Sequence, residues 1–349
     1  MQNPISKSIK ERPYHSGVNR RKFLQLGTGL LSVATVSPRT LIAAPTARLK
    51  EVQDSMHGLG TTVSLKVLHT DEETARQAID AAFSELRHIE STLSIYLPES
   101  QIIRLNRQGF VQNPDARLLE VLKKSTDWAK QTNGAFDITV HPLWALYQDA
   151  RNKNMLPDAN NLDQARHLVD WRQLTFTKQE VRLKKKGAAI TLNGIAQGYA
   201  TDRVKAVLQT HSIEHALIDC GEIGSMGNNA RNEAWKVGIQ HPRQPEAFSA
   251  VAQSDGRAMS TSGDYATTFS PDFRHNHLFD PRTGLSPEEL AGVTVAAPTA
   301  TDADALSTAI SVMGIEEGLA LIGTLKQCDA LMVTKSGRTL ITKGFPCQA

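Results

Sequence analysis

Asp304 and Thr308 stand four residues apart in Asp302-Ala303-Asp304-Ala305-Leu306-Ser307-Thr308-Ala309, so a helix there presents a carboxylate and a hydroxyl on one face. Such an oxygen pair suits a hard cation that keeps water and phosphate as further ligands. The same run also fits a helix start capped by Asp302 or Asp304. A second stretch, Ala189 to Asn228, reads as a short strand over Ala189–Leu192, a small turn at Asn193-Gly194, then a helix with apolar residues at Ala200, Val204, Val207 and Leu208. A strand over His215–Asp219 follows, and then Cys220 to Gly227, too rich in glycine for a regular element. Free amides at such a helix start bind phosphate oxygens well. An ordinary βαβ piece of core has the same pattern. The third group is His275-Asn276-His277-Leu278-Phe279-Asp280-Pro281, where the Asp-Pro turn would aim an imidazole. No serine elbow, paired-glutamate spacing or His-Glu-x-x-His pattern offers a rival chemistry.

The elements that must carry these groups follow from periodicity. Ser55–Val67 alternates through Val63, Leu65 and Val67 after a Gly58-Leu59-Gly60 turn and reads as a strand. Thr74–Ser94 is an amphipathic helix with Ala78, Ala81, Ala82, Leu86 and Ile89 at helical spacing. It delivers the segment Leu93–Asn106, in which Tyr96 is either an exposed flat face for a ring ligand or a strand residue. Asn106 fits a ligand contact or a turn cap. Asp115–Thr132 is a helix stopped by Asn133-Gly134, Asn161–Val169 a short helix, Leu174–Leu183 a strand pair beside a solvated Lys184–Gly187 turn, and Trp235–Pro242 a strand.

Lys and Arg number 39 against 36 Asp and Glu, a formal net charge of +3. Much of the excess is Lys7, Lys10, Arg12, Arg20, Arg21 and Lys22, so the remainder is not a nucleic-acid binder on charge grounds. Three hundred and forty-nine residues with 40% apolar content suit one large or two modest domains. Asn19-Arg20-Arg21-Lys22-Phe23-Leu24-Gln25 resembles a twin-arginine export signal, with an apolar run Leu24–Val36 too short to span a bilayer and small residues Ala43-Ala44 for cleavage. The plain alternative is a basic tail. The expectation is a signal over residues 1–44 read by the twin-arginine machinery, and a mature domain over 45–349, periplasmic and without a permanent membrane anchor. Cys220, Cys328 and Cys347 are an odd number at no metal spacing; a Cys328–Cys347 bond is left open.

The blocks together resemble the ApbE-type FAD:protein FMN transferases. Thr191-Leu192-Asn193-Gly194-Ile195-Ala196-Gln197-Gly198-Tyr199-Ala200-Thr201-Asp202 is similar to the family's central motif, with Thr191 where the family usually has Asp and Gln197 where it usually has Lys. Leu59-Gly60-Thr61 resembles its Met-Gly-Thr, a nearly volume-conserving exchange. Ala135-Phe136-Asp137-Ile138-Thr139-Val140, Trp235-Lys236-Val237-Gly238-Ile239, Thr261-Ser262-Gly263-Asp264-Tyr265 and the His277 block extend the likeness over about Ser55–Thr342. The resemblance implies an α+β, T-fold-like architecture: an antiparallel sheet core, outer helices, and FAD between two halves. It implies that Leu59, Tyr96, Ala135, Phe136, Asp137, Thr191, Gln197 and Leu278 meet FAD. Asp304, Thr308 and Ser307, with the Gly194 carbonyl, would hold Mg2+, and His277 would stand beside the phosphates as proton acceptor or charge stabiliser. The implied reaction is attack by a Ser or Thr hydroxyl of an acceptor protein on the FMN-side phosphorus of FAD, with AMP leaving. The alternatives are a periplasmic flavin-binding or assembly protein with little catalysis, and an FAD pyrophosphatase. Gly221-Glu222-Ile223, where most relatives have a Gly-Gly-Asn-like run, looks like the NosX branch linked to nitrous oxide reduction, whose acceptor would be NosR.

Overall fold

The computed structural model describes Ile9–Arg12, Val18–Asn19 and residues 48–347. The arginine pair, the apolar run and the cleavage region of the expected export signal lie outside the described residues. In chain order the strands are β1 Ile9–Arg12, β2 Val18–Asn19, β3 Lys50–Gly58, β4 Thr61–His69, β5 Phe110–Gln112, β6 Leu174–Phe176, β7 Glu180–Leu183 and β8 His215–Asp219. They continue with β9 Ile223–Met226, β10 Lys236–His241, β11 Gln244–Gln253, β12 Ala258–Gly263, β13 Leu290–Ala297, β14 Asp329–Thr334 and β15 Thr339–Thr342. The helices are α1 Glu72–Leu93, α2 Gln101–Gln108, α3 Ala116–Gln131, α4 His141–Asn152, α5 Ala159–Arg166, α6 Ala196–Thr210 and α7 Ala300–Thr324.

Nine strands form one sheet in the order β1-β15-β14-β13-β12-β9-β8-β4-β3, every neighbouring pair antiparallel. The expected α+β class with an antiparallel core is what the chain adopts. Strand periodicity assigns the faces. In β14, Ala330 and Met332 join the main core, while Leu331 and Val333 point into a second cluster with Met259, Ala296, Ile341 and Phe345. β13 is buried along its whole length because both of its faces are covered, by α7 on one side and by this second cluster on the other. Helix α7 is long and apolar enough to cross a membrane by composition, but its apolar window is mostly buried and it packs against β12 and β13 as a core helix.

Several local expectations are corrected. The turn expected at Gly58-Leu59-Gly60 is found, with Leu59 and Gly60 at left-handed φ of 54° and 75°, and the strand expected after it is β4; the residues before the turn form β3, so the two make a hairpin. Ala189–Leu192 is extended but joins no sheet. The backbone N–H of Ile190 donates to the Asn106 side chain and its carbonyl accepts from the same amide, at 2.8 and 2.9 Å, while Thr191 N–H donates to Ile138 O. With these central groups taken the segment enters no named strand, and the βαβ alternative falls with it. Asn106 is thus a structural clamp. The stretch Cys220–Gly227, expected to be irregular, contains β9, because Gly224 lets the Thr201 methyl group pack where a Cβ would sit 2.8 Å from it. All three cysteines are free thiols, so the bond left open between Cys328 and Cys347 is not formed.

The start of α7 is capped by neither Asp302 nor Asp304 but by Thr299, whose side chain accepts from Asp302 N–H. Asp302 instead receives Trp128 Nε1 and Lys124 Nζ, tying α3 to this end. Two further orphan amides of α7, Ala300 and Thr301, donate to the Asp202 carboxylate at 2.9 Å each, and the Thr301 hydroxyl adds a third bond. Asp202→Ala strands these donors and is expected to lower stability by about 2 kcal/mol. Urea unfolding would read this as a lower midpoint at unchanged slope; a change below about 0.5 kcal/mol would remove Asp202 from this role.

Candidate active site

Strands β9 and β12 share one residue pair, Met259 with Ile223, and then diverge. Past that pair Thr261, Ser262 and Gly263 of β12 face a cavity of about 810 Å³, a volume suited to a large cofactor-sized ligand. Its remaining walls come from the β3–β4 turn, the loop after α1, residues 135–140, the turn before α6, and the irregular segment carrying His277. Of the residues expected to form the site, Leu59, Tyr96, Ala135, Phe136, Asp137, Thr191, Gly194, Gln197, His277, Leu278, Asp304 and Thr308 all line this one cavity. Ser307 does not. It is fully buried, its hydroxyl 2.8 Å from Ser262 Oγ and 3.2 Å from Ser260 Oγ, so it supports the wall instead of facing the cavity.

Two glycines bring the oxygen groups together. A Cβ on Gly198 would sit 2.3 Å from the carbonyl oxygen of Ala300, so only glycine lets α6 and α7 touch there. Gly198 N–H then donates to Asp304 Oδ2 at 3.0 Å. At Gly194 a Cβ would sit 2.8 Å from Thr308 Oγ1, so the backbone of this turn lies directly against the Thr308 hydroxyl. Asp304, Thr308 and the Gly194 turn are therefore neighbours in space as the spacing suggested.

Among the described residues, four acidic side chains line the cavity, Glu90, Asp137, Glu222 and Asp304, and no Lys or Arg does. Burial pushes Asp304 up to about 7, reinforced by the charge of Asp202 and opposed by the Gly198 N–H. Glu222 is raised well above the carboxylate range by burial and by Asp304. It accepts from Thr261 N–H at 3.3 Å. Burial lowers His277 below the ordinary imidazole value, against the Thr267 carbonyl and the charge of Asp264. His277 Nδ1 lies 3.2 Å from Thr267 O, which assigns the proton to Nδ1 and leaves Nε2 as the free lone pair.

The flat and apolar surfaces take shape around these polar groups. Tyr96 is 59% exposed, on a loop and not in a strand, and its hydroxyl accepts from Asn193 Nδ2 at 3.2 Å across the cavity mouth. Gln197 Nε2 donates to Leu59 O at 3.2 Å, while Leu59 N–H donates to Glu90 Oε1 at 2.9 Å, so two helices grip the β3–β4 turn. Asp137 was expected to accept from the ligand. Its carboxylate instead accepts from Thr139 N–H, the Thr139 hydroxyl and Trp171 N–H, which fixes the loop whose edge the ligand would meet.

Glu222 is the main residue that sequence reasoning passed over, because Gly221-Glu222-Ile223 reads as part of a glycine loop. Its sequence signal is a lone acid between glycine and an apolar strand residue, too weak to find without the fold. Trp144, Thr267 and Phe279 join the lining for a similar reason, since their segments are irregular or distant in sequence.

Comparison with known proteins agrees with this geometry. The family described as ApbE family matches residues 59–332. A protein of Vibrio cholerae named FAD:protein FMN transferase is 29% identical over 310 residues, covering 85% of this chain and 91% of that protein. A Haemophilus influenzae protein of the same name is 30% identical over 314 residues, covering 84% and 89%. Among solved structures, the flavin transferase ApbE from Vibrio cholerae superposes with a TM-score of 0.73 at 26% identity, covering 85% of this chain and 98% of that one. The ApbE protein from Thermotoga maritima gives 0.75 at 26% identity, covering 83% and 96%.

The raised Asp304 fixes a sign for pH dependence. Below the unfolded value of 3.8 the carboxyl is protonated in both states and its contribution is fully present; as pH rises through about 7 the unfolded chain ionises first and stability is lost. In the absence of divalent cations, Asp304→Asn is expected to escape this loss and to melt roughly 5 °C above the parent at pH 8, with the two converging towards pH 4. A constant difference between the two melting curves across that range would show that Asp304 does not carry the effect.

Proposed function

The chain belongs to the ApbE family and is a FAD:protein FMN transferase, and we propose that it moves the FMN part of FAD, with Mg2+, to a Ser or Thr hydroxyl of a periplasmic or membrane flavoprotein and releases AMP. The observation that carries the finer reading is the charge of the cavity. A diphosphate brings negative charge into a space lined, among the described residues, by four carboxyl groups and no Lys or Arg, so the charge that balances it would come from a bound cation.

Asp304, Thr308 and the Gly194 turn offer the oxygen donors that suit magnesium, and among the described residues no three His, Cys, Asp or Glu converge as a softer metal would prefer. When bound, Mg2+ would screen and polarise the diphosphate. The chain's own groups do the rest. Tyr96 offers a ring face at the mouth, and residues 135–137 present a rigid edge held by the Asp137 hydrogen bonds. The acceptor hydroxyl oxygen bonds to the FMN-side phosphorus as the phosphorus–oxygen bond to AMP breaks. Burial keeps His277 neutral at pH 7, and its Nε2 is the lone pair available for the hydroxyl proton. Gln197, bonded to Leu59, holds the wall where a Lys would have supplied charge, which places more of the neutralisation on the cation.

Residues 1–44 are read as a twin-arginine signal and the mature domain from residue 45 as periplasmic, on the support of the Arg20-Arg21 motif, the apolar run and Ala43-Ala44. The assignment to the NosX branch, with NosR as acceptor, is supported by Gly221-Glu222-Ile223.

Incubation with FAD, Mg2+ and an acceptor domain containing a Thr is expected to leave a fluorescent flavin band on the acceptor after denaturing electrophoresis. EDTA and Asp304→Ala should abolish it, and His277→Ala should slow it by about 10²–10⁴-fold. Intact, tightly bound FAD with no band would indicate a flavin carrier. FMN and AMP appearing without a band would indicate a pyrophosphatase.

A further inference from the structure

No regular element lies beneath His277. Residues 264–289 run from the end of β12 to the start of β13 as turns and bends, yet His277, Leu278 and Phe279 must all keep their places in the cavity wall. His277 is tied to its own segment, its N–H donating to Thr267 O at 3.0 Å and its Nδ1 facing the same carbonyl, so the imidazole moves with this loop. On one side the loop is held by rings: Tyr147 of α4 lies 5.3 Å from Phe269 and 5.1 Å from Phe279.

Two cations from remote turns hold the other side. Arg243, between β10 and β11, grips the Asp264 carboxylate through both guanidinium nitrogens at 2.7 Å each. The same guanidinium lies 4.2 Å from the ring centroid of Phe273, a bulky residue in the left-handed region with φ 61° at the loop tip. Lys335, between β14 and β15, stands 3.9 Å from Asp264 and donates to the carbonyls of Pro287 and Phe273 at 2.9 and 3.4 Å. Asp264 is 1% exposed and directly follows Ser262 and Gly263, which line the cavity. Arg243, Lys335, Asp264 and Phe273 themselves do not line it.

We propose that Arg243, assisted by Lys335, is a positioning residue for the transfer reaction: by clamping Asp264 and Phe273 it fixes the 264–289 loop and thereby holds His277 against the cavity. The planar fork fixes the carboxylate in two directions while its face bears on Phe273, a combination an ammonium cannot reproduce. The inference rests on the transferase reading above, and its test includes a readout that needs no transfer.

Arg243→Met alone leaves Asp264 buried and uncompensated, so the double variant Arg243→Met/Asp264→Asn is the main test, with Arg243→Lys beside it. Single-turnover flavin transfer at saturating FAD and Mg2+ is expected to fall by ~100-fold in the double variant, while the FAD dissociation constant from fluorescence stays within ~3-fold of the parent. Arg243→Lys should recover only part of the rate. In the FAD-free protein, the His277 ring signals, identified by their loss in His277→Asn, should broaden or split in the double variant. Parental transfer in the double variant would overturn the proposal, as would a loss of FAD binding in proportion to rate, which marks a general packing defect. An unchanged His277 spectrum would overturn it even if the parent transferred no flavin, an outcome that would separately defeat the transferase reading.

Discussion

At Gly198 the first turn of α6 lies against the first turn of α7 with no side chain between them, and the Gly198 amide donates to Asp304 across the contact. Much of the site depends on that approach. It sets Asp304 and Thr308 at the depth of the Asn193-Gly194 turn. It places the start of α7 where Asp202 of α6 can satisfy its free amides. It also forces a carboxylate into the protein interior, where burial raises its proton affinity. A Cβ at residue 198 would separate the helices and undo all three.

The same contact explains why the cavity is acidic and yet suited to an anionic ligand. Asp304 and Glu222 stay buried because their oxygens have backbone N–H donors, Gly198 for one and Thr261 for the other, but neither has a cationic partner lining the cavity. Buried carboxylates in this state are poor hosts for phosphate and good hosts for a divalent ion. In the proposed reaction, ligand charge and cation charge would be complementary only as a pair. The exchange of the family's usual Lys for Gln197 would sharpen that proposed dependence, since Gln197 spends its amide on Leu59 O.

Rigidity around the cavity is uneven. The sheet wall is set by ladders and by a core that fills both faces of β13. The wall that carries His277 is set by aromatic contacts on one side and by Arg243 and Lys335 on the other. Polar and aromatic contacts of this kind hold a loop in one geometry without the continuous hydrogen-bond ladder that ties the sheet wall. A transferase must admit a diphosphate and then an acceptor segment, so the irregular wall is the side on which such adjustment is cheapest.

The sequence alone determined the elements with strong period and the motifs of special composition. Helices α1 and α3 follow from apolar spacing, β8 is found at its expected residues, and the Asp304–Thr308 pair shares a face because i and i+4 always do. Only the tertiary structure decided the rest. Ala189–Leu192 has a strand's residues but not a strand's partners: Asn106 takes both backbone groups of Ile190, and Thr191 N–H goes to Ile138 O. The Gly58-Leu59-Gly60 turn was legible, but that the residues before it pair back on β4 as β3 was not. Glu222 and Arg243 could not be given roles in advance, and Asp137, expected to meet the ligand, has its carboxylate taken by Thr139 and Trp171. What a carboxylate or guanidinium does depends on which groups long-range packing brings within about 3 Å of it, and residue type and spacing carry no record of that distance.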